Sequence, residues 1–218
     1  MIVDIGCWRK AACALLAALV TGAGAPATAH DAVPVAAAAP LGPALHPSLP
    51  IIKTAPDIDL RDAGDRPIAL SRLRGDVVLV NFIYTTCTTT CPLLTQRMAI
   101  LAERLKEAGL WPDGVSFVSV SVDPERDSAA ALSDYARRFD VVDPAWHFLR
   151  DSPQRLRAVL DTYDEWTRPL PGGEIDHPAR LYLIDRRGAI REIYALAFFD
   201  ERQAFIDIKT LVEEDDPP

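Results

Sequence analysis

VNFIYTTCTTTCPLLTQRM, residues 80–98, is the stretch that decides the fold. It begins inside residues 76–84, an apolar run rich in β-branched and aromatic side chains that is typical of a buried central strand. It ends inside residues 91–109, where apolar residues recur at helical spacing. Cys87 and Cys91 therefore stand where a buried strand stops and a helix starts.

The position of the two cysteines favours thiolates. Backbone N–H groups at a helix start have no partner within the helix, and the helix dipole is positive there. Both effects stabilise a thiolate, so we predict a low pKa for Cys87 and for Cys91. Their spacing is C-x-x-x-C, not the C-x-x-C of ordinary dithiol oxidoreductases. A static disulfide is disfavoured because so short a loop constrains the unfolded chain little, while electron exchange and metal binding both stay open.

Strands and helices alternate along the rest of the chain. Strands are predicted at residues 57–62, 67–70, 115–123 and 145–150, the last at a sheet edge, and as a pair within residues 180–196. Helices are predicted at residues 128–139, 152–164 and 200–215. This order predicts an α/β fold. Together with the cysteines at the strand-to-helix turn, it favours a thioredoxin-like sandwich in which a central mixed β-sheet is flanked by helices.

The N-terminal region predicts export to the periplasm. Residues 1–29 combine the basic pair Arg9–Lys10, an apolar run and a final Ala-Thr-Ala, which together indicate a secretory signal peptide. The apolar run is shorter than the about 20 residues that a membrane span needs, and an uncleaved membrane anchor is the alternative interpretation. Residues 30–50 are rich in Ala and Pro and predict a linker. Residues 51–218 then form the predicted domain.

The charge balance excludes one class of partner. The 218 residues carry a formal net charge of −8. An acidic chain without a basic patch argues against binding to nucleic acid. It is compatible with a cationic partner.

Three blocks of the sequence resemble one known family. The blocks are GDVVLVNFIYTTCTTTCP (75–92), FVSVSVDPERDS (117–128) and DHPARLYLIDRRG (176–188). In order and spacing they resemble the signature blocks of the Sco/SenC copper chaperones, and the resemblance extends over residues 56–196. It implies a thioredoxin-like fold, bound copper, and a role in assembling the dinuclear copper centre in a subunit of cytochrome c oxidase. The copper ligands that it implies are Cys87, Cys91 and His177.

The implied ligand set suits copper chemically. Two thiolates and an imidazole suit Cu(I), and with an added water or carboxylate they also hold Cu(II). Three ligands leave the metal open to an incoming thiolate, as transfer between proteins requires, whereas structural zinc prefers four ligands. Asp123 and Asp176 are candidates to orient the imidazole from outside the ligand set. A loop cap for Asp123 and a surface position for Asp176 are the alternatives.

The chain departs from the family pattern at two positions. Thr88 stands between the cysteines where many members have Pro, and Pro178 follows the histidine where Ser is common. Neither change removes an implied ligand. Pro178 is also a candidate for a cis peptide bond. The Gly172–Gly173 pair predicts a mobile loop before His177.

Two functions compete for these residues. The first is a copper chaperone near the membrane, whose partners are the copper-binding subunit of cytochrome c oxidase and a copper donor protein. The second is a periplasmic thiol-disulfide oxidoreductase that reduces the copper-ligand cysteines of that subunit. It would use a redox disulfide between Cys87 and Cys91 and a thiol reductant as partner. His177 favours the chaperone, because a dithiol oxidoreductase has no need of an imidazole there.

Overall fold

The computed structural model of the chain describes residues 49–214. The signal peptide predicted for residues 1–29 lies outside the described residues, and so does nearly all of the linker predicted for residues 30–50. Within residues 49–214, no helix is both long and apolar enough to cross a membrane.

A mixed β-sheet forms the centre of the described chain. Its strands and those of a separate hairpin are, in chain order, β1 (Lys53–Thr54), β2 (Asp59–Asp62), β3 (Pro67–Ala69), β4 (Val77–Ile83), β5 (Val115–Ser121), β6 (Trp146–Arg150), β7 (Arg168–Pro169), β8 (Ile175–Asp176), β9 (Arg180–Ile184) and β10 (Ala189–Ala195). The helices are α1 (Thr90–Glu107), α2 (Ala129–Arg138), α3 (Pro153–Thr162) and α4 (Glu201–Glu213), with short 3-10 turns at Leu70–Leu73 and Leu196–Phe198. The order across the sheet is β1-β10-β9-β4-β5-β6-β2-β3, and β7 pairs with β8 outside it.

The central strands are parallel and buried. Every residue of β4 and of β5 is buried, and the two strands pair in parallel from Val77↔Val115 to Ile83↔Ser121. β6 continues the parallel set beside β5, while β9 lies antiparallel on the other side of β4. Burial on both faces explains why residues 76–84 form a nearly unbroken apolar run. The predicted mixed sheet is confirmed.

The strand over residues 145–150 lies inside the sheet, so its prediction as an edge strand was wrong. β2 pairs with β6 through Arg61↔Arg150 and Asp62↔Leu149, and β3 forms the edge beyond β2. β6 resembles an edge strand in sequence because it carries two half-buried polar residues, His147 and Arg150. The short β2–β3 hairpin, which comes from a distant part of the chain, covers it.

The turn that carries the cysteines follows β4 directly. β4 ends at Ile83 and α1 begins at Thr90. Cys87 therefore lies in the turn, and Cys91 is the second residue of the helix. Pro92 follows in the first helical turn, where its missing N–H has no helical partner to lose. The predicted transition from strand to helix is confirmed.

The hairpin of β7 and β8 stands immediately before β9 and leads to His177. The sequence pattern predicts neither strand, because two-residue strands show no periodicity. Gly172 and Gly173 in its turn both have positive φ, 87° and 86°, a conformation that favours glycine. Within residues 49–214 only the Trp111–Pro112 peptide bond is cis. The bond before Pro178 is trans, so the cis alternative for Pro178 was wrong.

Candidate metal centre

Cys87 and Cys91 converge at the start of α1. Both are free thiols, and both are buried, with 6% of Cys87 and 2% of Cys91 exposed. The backbone N–H of Cys91 donates to Sγ of Cys87 over 3.3 Å. An amide at the helix start therefore stabilises the Cys87 sulfur, which is the role expected for such an amide.

The two cysteines have opposite acidities. The pKa of Cys87 falls to about 4, chiefly because the Cys91 thiol donates to it, with further hydrogen bonds from the backbone N–H groups of Cys91 and Thr89 and from the Tyr84 hydroxyl. The same hydrogen bond, together with burial, raises the pKa of Cys91. The predicted low pKa is confirmed for Cys87. It was wrong for Cys91, because a second buried thiolate would be repelled by the negative charge of the first.

His177 lies on the connection between β8 and β9, opposite the cysteine turn. Its ring meets the ring of Tyr84 edge-on, with centroids 5.9 Å apart. Its Nδ1 atom is buried and finds no hydrogen-bond partner within residues 49–214. Burial lowers the pKa of His177, so the imidazole is neutral at pH 7. A neutral imidazole with an unpartnered nitrogen is the form that binds metals.

One cavity joins these groups. It has a volume of about 150 Å³, and Tyr84, Cys87, Glu174 and His177 are among its lining residues. Cys91 adjoins Cys87 and does not line this cavity. Within the described residues, no three His, Cys, Asp or Glu side chains stand close enough together to hold a metal ion without movement. Of the three predicted ligands, Cys87 and His177 thus line one cavity and Cys91 adjoins Cys87, so binding through all three would require His177 and the cysteines to approach each other.

The two predicted orienting carboxylates make their contacts with arginines. Asp123 pairs with Nε of Arg126, and Nη1 of Arg126 donates to the carbonyl oxygen of Gly173 over 2.6 Å. Asp123 is thus connected, through Arg126, to the hairpin that leads to His177. Asp176 lines the cavity and pairs with Arg168 across the hairpin, with 34% of its side chain exposed.

One protein-family model spans the strand, the cysteine turn and the histidine connection together. The model of the SCO1/SenC family matches residues 52–213, most of the chain. The chain belongs to the SCO1/SenC family. The resemblance of the three sequence blocks is thereby confirmed.

Individual members of the SCO1/SenC family match at modest identity. The SCO1 protein homolog of Bacillus subtilis (strain 168) is 30% identical over 131 residues, which cover 58% of this chain and 66% of that protein. The match thus spans slightly less than two thirds of that relative. A SCO1/SenC family lipoprotein from Bacillus anthracis str. Ames has a crystal structure with a TM-score of 0.67 at 26% identity, covering 74% of this chain and 96% of that one.

A copper-bound member has the same fold. The structure of Bradyrhizobium japonicum ScoI with copper bound aligns with a TM-score of 0.63 at 26% identity, covering 72% of this chain and 99% of that one. Together with the lipoprotein structure, it confirms the predicted thioredoxin-like α/β fold.

Asp127 is a buried carboxylate of this SCO1/SenC domain that sequence reasoning missed. It is 1% exposed and accepts hydrogen bonds from the backbone N–H and the hydroxyl of Thr85, at 3.0 and 2.6 Å. The Ser121 hydroxyl donates to its other oxygen over 2.6 Å. Burial raises its pKa, and its charge adds to the high pKa of Cys91. Its place in FVSVSVDPERDS, just after a buried strand, was the available signal.

Glu165 is a buried carboxylate that contacts β9, the strand that follows His177. It is 1% exposed, its Oε1 accepts from the Tyr182 hydroxyl over 2.8 Å, and Arg180 Nη1 lies 3.7 Å from the same oxygen. Its Oε2 is buried and finds no partner within residues 49–214. Burial raises the pKa of Glu165 to about 7. The ionised form of this carboxylate is therefore destabilised in the folded protein.

Glu165→Gln should make the domain more stable at pH 8 and leave its stability nearly unchanged at pH 4. Between its ordinary pKa of 4.5 and the folded value of about 7, the folded chain holds more protons at Glu165 than the unfolded chain. The free energy of unfolding therefore falls as pH rises through this range. The shift corresponds to at most about 3 kcal/mol at high pH, which glutamine avoids while still accepting from Tyr182. Urea unfolding at both pH values measures the difference.

Glu107→Gln, at an exposed position of α1, is the matched control for the loss of a carboxylate. A Glu165→Gln variant that is less stable than the wild type at pH 8 would show that the pairing with Arg180 outweighs the cost of burial.

Proposed function

We propose that this chain is a copper chaperone that binds its cargo through Cys87, Cys91 and His177. The observation that carries the proposal is the shared cavity, which is lined by the Cys87 thiolate and by a neutral imidazole whose Nδ1 has no partner within residues 49–214. Two cysteine sulfurs and an imidazole nitrogen form a soft donor set that suits Cu(I). A set of three also leaves the metal open to attack by a thiolate of the receiving protein.

The open arrangement of the three side chains is compatible with loading and release. Cys87 holds the negative charge and can engage the metal first. Cys91 then has to give up its proton, since metals bind the thiolate and displace protons from their ligands. His177 completes the set by moving toward the cysteines from the hairpin side. A site that closes in this order also opens in the reverse order when the cargo leaves.

The receiving protein that we propose is the subunit of cytochrome c oxidase that contains the dinuclear copper centre. This target follows from membership of the SCO1/SenC family together with the function that the resemblance implies. The copper-bound structure of Bradyrhizobium japonicum ScoI supports copper as the cargo. The proposed location is the periplasm, which the signal-peptide pattern of residues 1–29 supports.

The cysteine pair also favours a second candidate function, thiol-disulfide exchange. Cys87 is a thiolate at neutral pH, and the Cys91 thiol donates to it. Oxidation would join the two sulfurs, with loss of two electrons to an acceptor disulfide and of the Cys91 proton. Reduction by an external thiol would restore the pair. The disulfide form has no thiolate to offer copper, so the two functions exclude each other at any one moment.

Copper loading of the reduced protein tests the proposal. We expect one copper per chain, bound more tightly than zinc, because soft thiolate donors favour copper and because the site offers zinc three protein ligands instead of four. Elemental analysis after loading and desalting measures the stoichiometry, and competition with added zinc measures the preference. Protein oxidised to the disulfide is the control and should retain no copper. Reduced protein that retains no copper would leave thiol exchange as the better candidate.

A further inference from the structure

The hairpin that presents His177 is fastened to its surroundings from two sides. The Tyr84 hydroxyl, at the end of β4, accepts from the backbone N–H of Ile175 over 3.2 Å. Arg126, which follows β5, donates to the Gly173 carbonyl oxygen over 2.6 Å. Both contacts come from parts of the fold that adjoin the buried sheet. They hold the hairpin from residues that lie outside the segment between Cys87 and Cys91.

A third contact comes from the cysteine loop itself. The Thr88 hydroxyl donates to Oε1 of Glu174 over 3.1 Å. Thr88 lies between Cys87 and Cys91, and Glu174 lies three residues before His177. This bond therefore joins the segment that bears the two sulfurs to the segment that bears the imidazole.

We propose that the hydrogen bond between Thr88 and Glu174 is a latch that positions His177 against the cysteine pair. Glu174 is then a positioning residue, and its carboxylate is not a metal ligand. The part of this proposal that concerns metal binding rests on the proposed copper function. The geometric part, in which the hydrogen bond holds the hairpin against the cysteine loop, does not depend on a metal.

The tight geometry of the hairpin lets a small contact act on His177. The N–H of Leu170 donates to the Glu174 carbonyl oxygen over 2.8 Å, and the N–H of Gly173 donates to the Leu170 carbonyl oxygen over 3.3 Å. Two backbone hydrogen bonds therefore close the hairpin turn, and one of them ends at the carbonyl oxygen of Glu174. A shift of Glu174 then moves the end of β8, and His177 follows immediately after β8. Disulfide formation or metal binding rearranges the loop that holds Thr88, and the latch passes that change to the imidazole.

Four variants separate a latch from a ligand. Thr88→Val keeps the volume of the side chain and removes its donor, and Glu174→Ala removes the acceptor. Glu174→Gln keeps an oxygen that accepts from Thr88 and removes the charge. The double variant Thr88→Val/Glu174→Ala tests whether the two residues act as one unit. Glu125→Ala, on the neighbouring exposed turn, removes the same charge without touching the latch and is the matched control.

The first measurement uses metal-free reduced protein and needs no copper. Amide hydrogen exchange at Ile175 reports the seating of the hairpin, because this N–H is protected by Tyr84. Thr88→Val and Glu174→Ala should each speed exchange there by roughly threefold to tenfold, the scale of one partly exposed hydrogen bond. The double variant should be no faster than either single variant. Glu174→Gln and Glu125→Ala should match the wild type.

The second measurement uses protein loaded with Cu(II). Nitrogen hyperfine coupling in the electron paramagnetic resonance spectrum reports coordination by His177. Thr88→Val and Glu174→Ala should weaken this coupling and lower the affinity by a similar factor, with an unchanged thermal unfolding midpoint, while Glu174→Gln should retain the wild-type spectrum.

Three results decide against the latch or against the copper function. If Glu174→Gln is as damaging as Glu174→Ala while Thr88→Val is harmless, then the carboxylate acts by its charge or as a ligand, and the latch is wrong. If no variant changes exchange at Ile175, the bond does not seat the hairpin and the latch is wrong as well. If the wild type binds no copper, the proposed function fails, and exchange at Ile175 still decides the geometric part.

Discussion

Replacing Cys87 by serine is expected to lower the affinity for copper by more than about 100-fold, since loss of even a partner outside a ligand set costs about 10- to 100-fold. Cys87 carries the thiolate of the pair at neutral pH, and a serine hydroxyl does not ionise there. The lone Cys91 and His177 would leave a two-ligand site. Competition titration of the reduced protein with a Cu(I) chelator measures the loss. After incubation with Cu(II), the charge-transfer band from sulfur to copper should be absent, because the two remaining ligands hold Cu(II) too weakly.

Two further variants give this experiment its internal comparison. Cys91→Ser should also abolish the band, while His177→Ala should weaken and reshape it, because both sulfurs remain. Thermal unfolding of each variant shows whether the fold is intact. A Cys87→Ser variant that binds copper as tightly as the wild type would remove Cys87 from the ligand set. A His177→Ala variant with unchanged spectrum and affinity would favour the dithiol interpretation.

The central strands and the cysteine turn were predictable from the sequence because their pattern is set by burial. Every residue of β4 and of β5 is buried, which explains the nearly continuous apolar run of residues 76–84. In residues 115–123 serines interrupt the apolar residues, and these serines are buried as well. When such a strand is followed by a helix with Pro92 in its first turn, Cys87 and Cys91 are expected in the connecting turn and at the helix start. The connection order then specifies the fold class.

The hairpin before His177 was beyond sequence reasoning. β7 and β8 have two residues each, too few for any periodicity. Their pairing depends on contacts with distant residues, such as the one from Tyr84 to Ile175. For the same reason β6 looked like an edge strand, since only its partner β2 shows that it lies inside the sheet.

The acidities at the candidate site were predictable only in part. The helix start lowers the expected pKa of both cysteines, and the sequence gives no reason to expect different pKa values for the two. In the fold, the Cys91 thiol donates to Cys87 and lies more deeply buried, so one thiol keeps its proton. Asp127 adds a buried negative charge on the same side. Such asymmetry depends on the direction of hydrogen bonds, which spacing along a chain does not encode.

Cells that lack this protein are expected to lose most of their copper-dependent cytochrome c oxidase activity when copper is scarce, and added copper is expected to restore much of it. A chaperone raises the local supply of metal at a target whose own affinity is unchanged, so abundant metal replaces it by mass action. A thiol reductase gives the opposite result. Added copper then fails to rescue, because it oxidises thiols, while a small-molecule reductant helps. Oxidase activity in deletion cells at graded copper, with and without reductant, measures the difference.

The His177→Ala variant makes this cellular test sharper, because it separates two functions that share both cysteines. A copper chaperone loses one of three ligands, so the variant should fail to restore oxidase activity at low copper and should recover as copper rises. A dithiol reductase works without the imidazole, so the variant should then restore activity at every copper level. Cys87→Ser is the matched comparison and should fail under both functions at low copper, since both require the thiolate. Restoration by His177→Ala at low copper, beside failure of Cys87→Ser, would replace copper delivery with thiol reduction as the function of the cysteine pair.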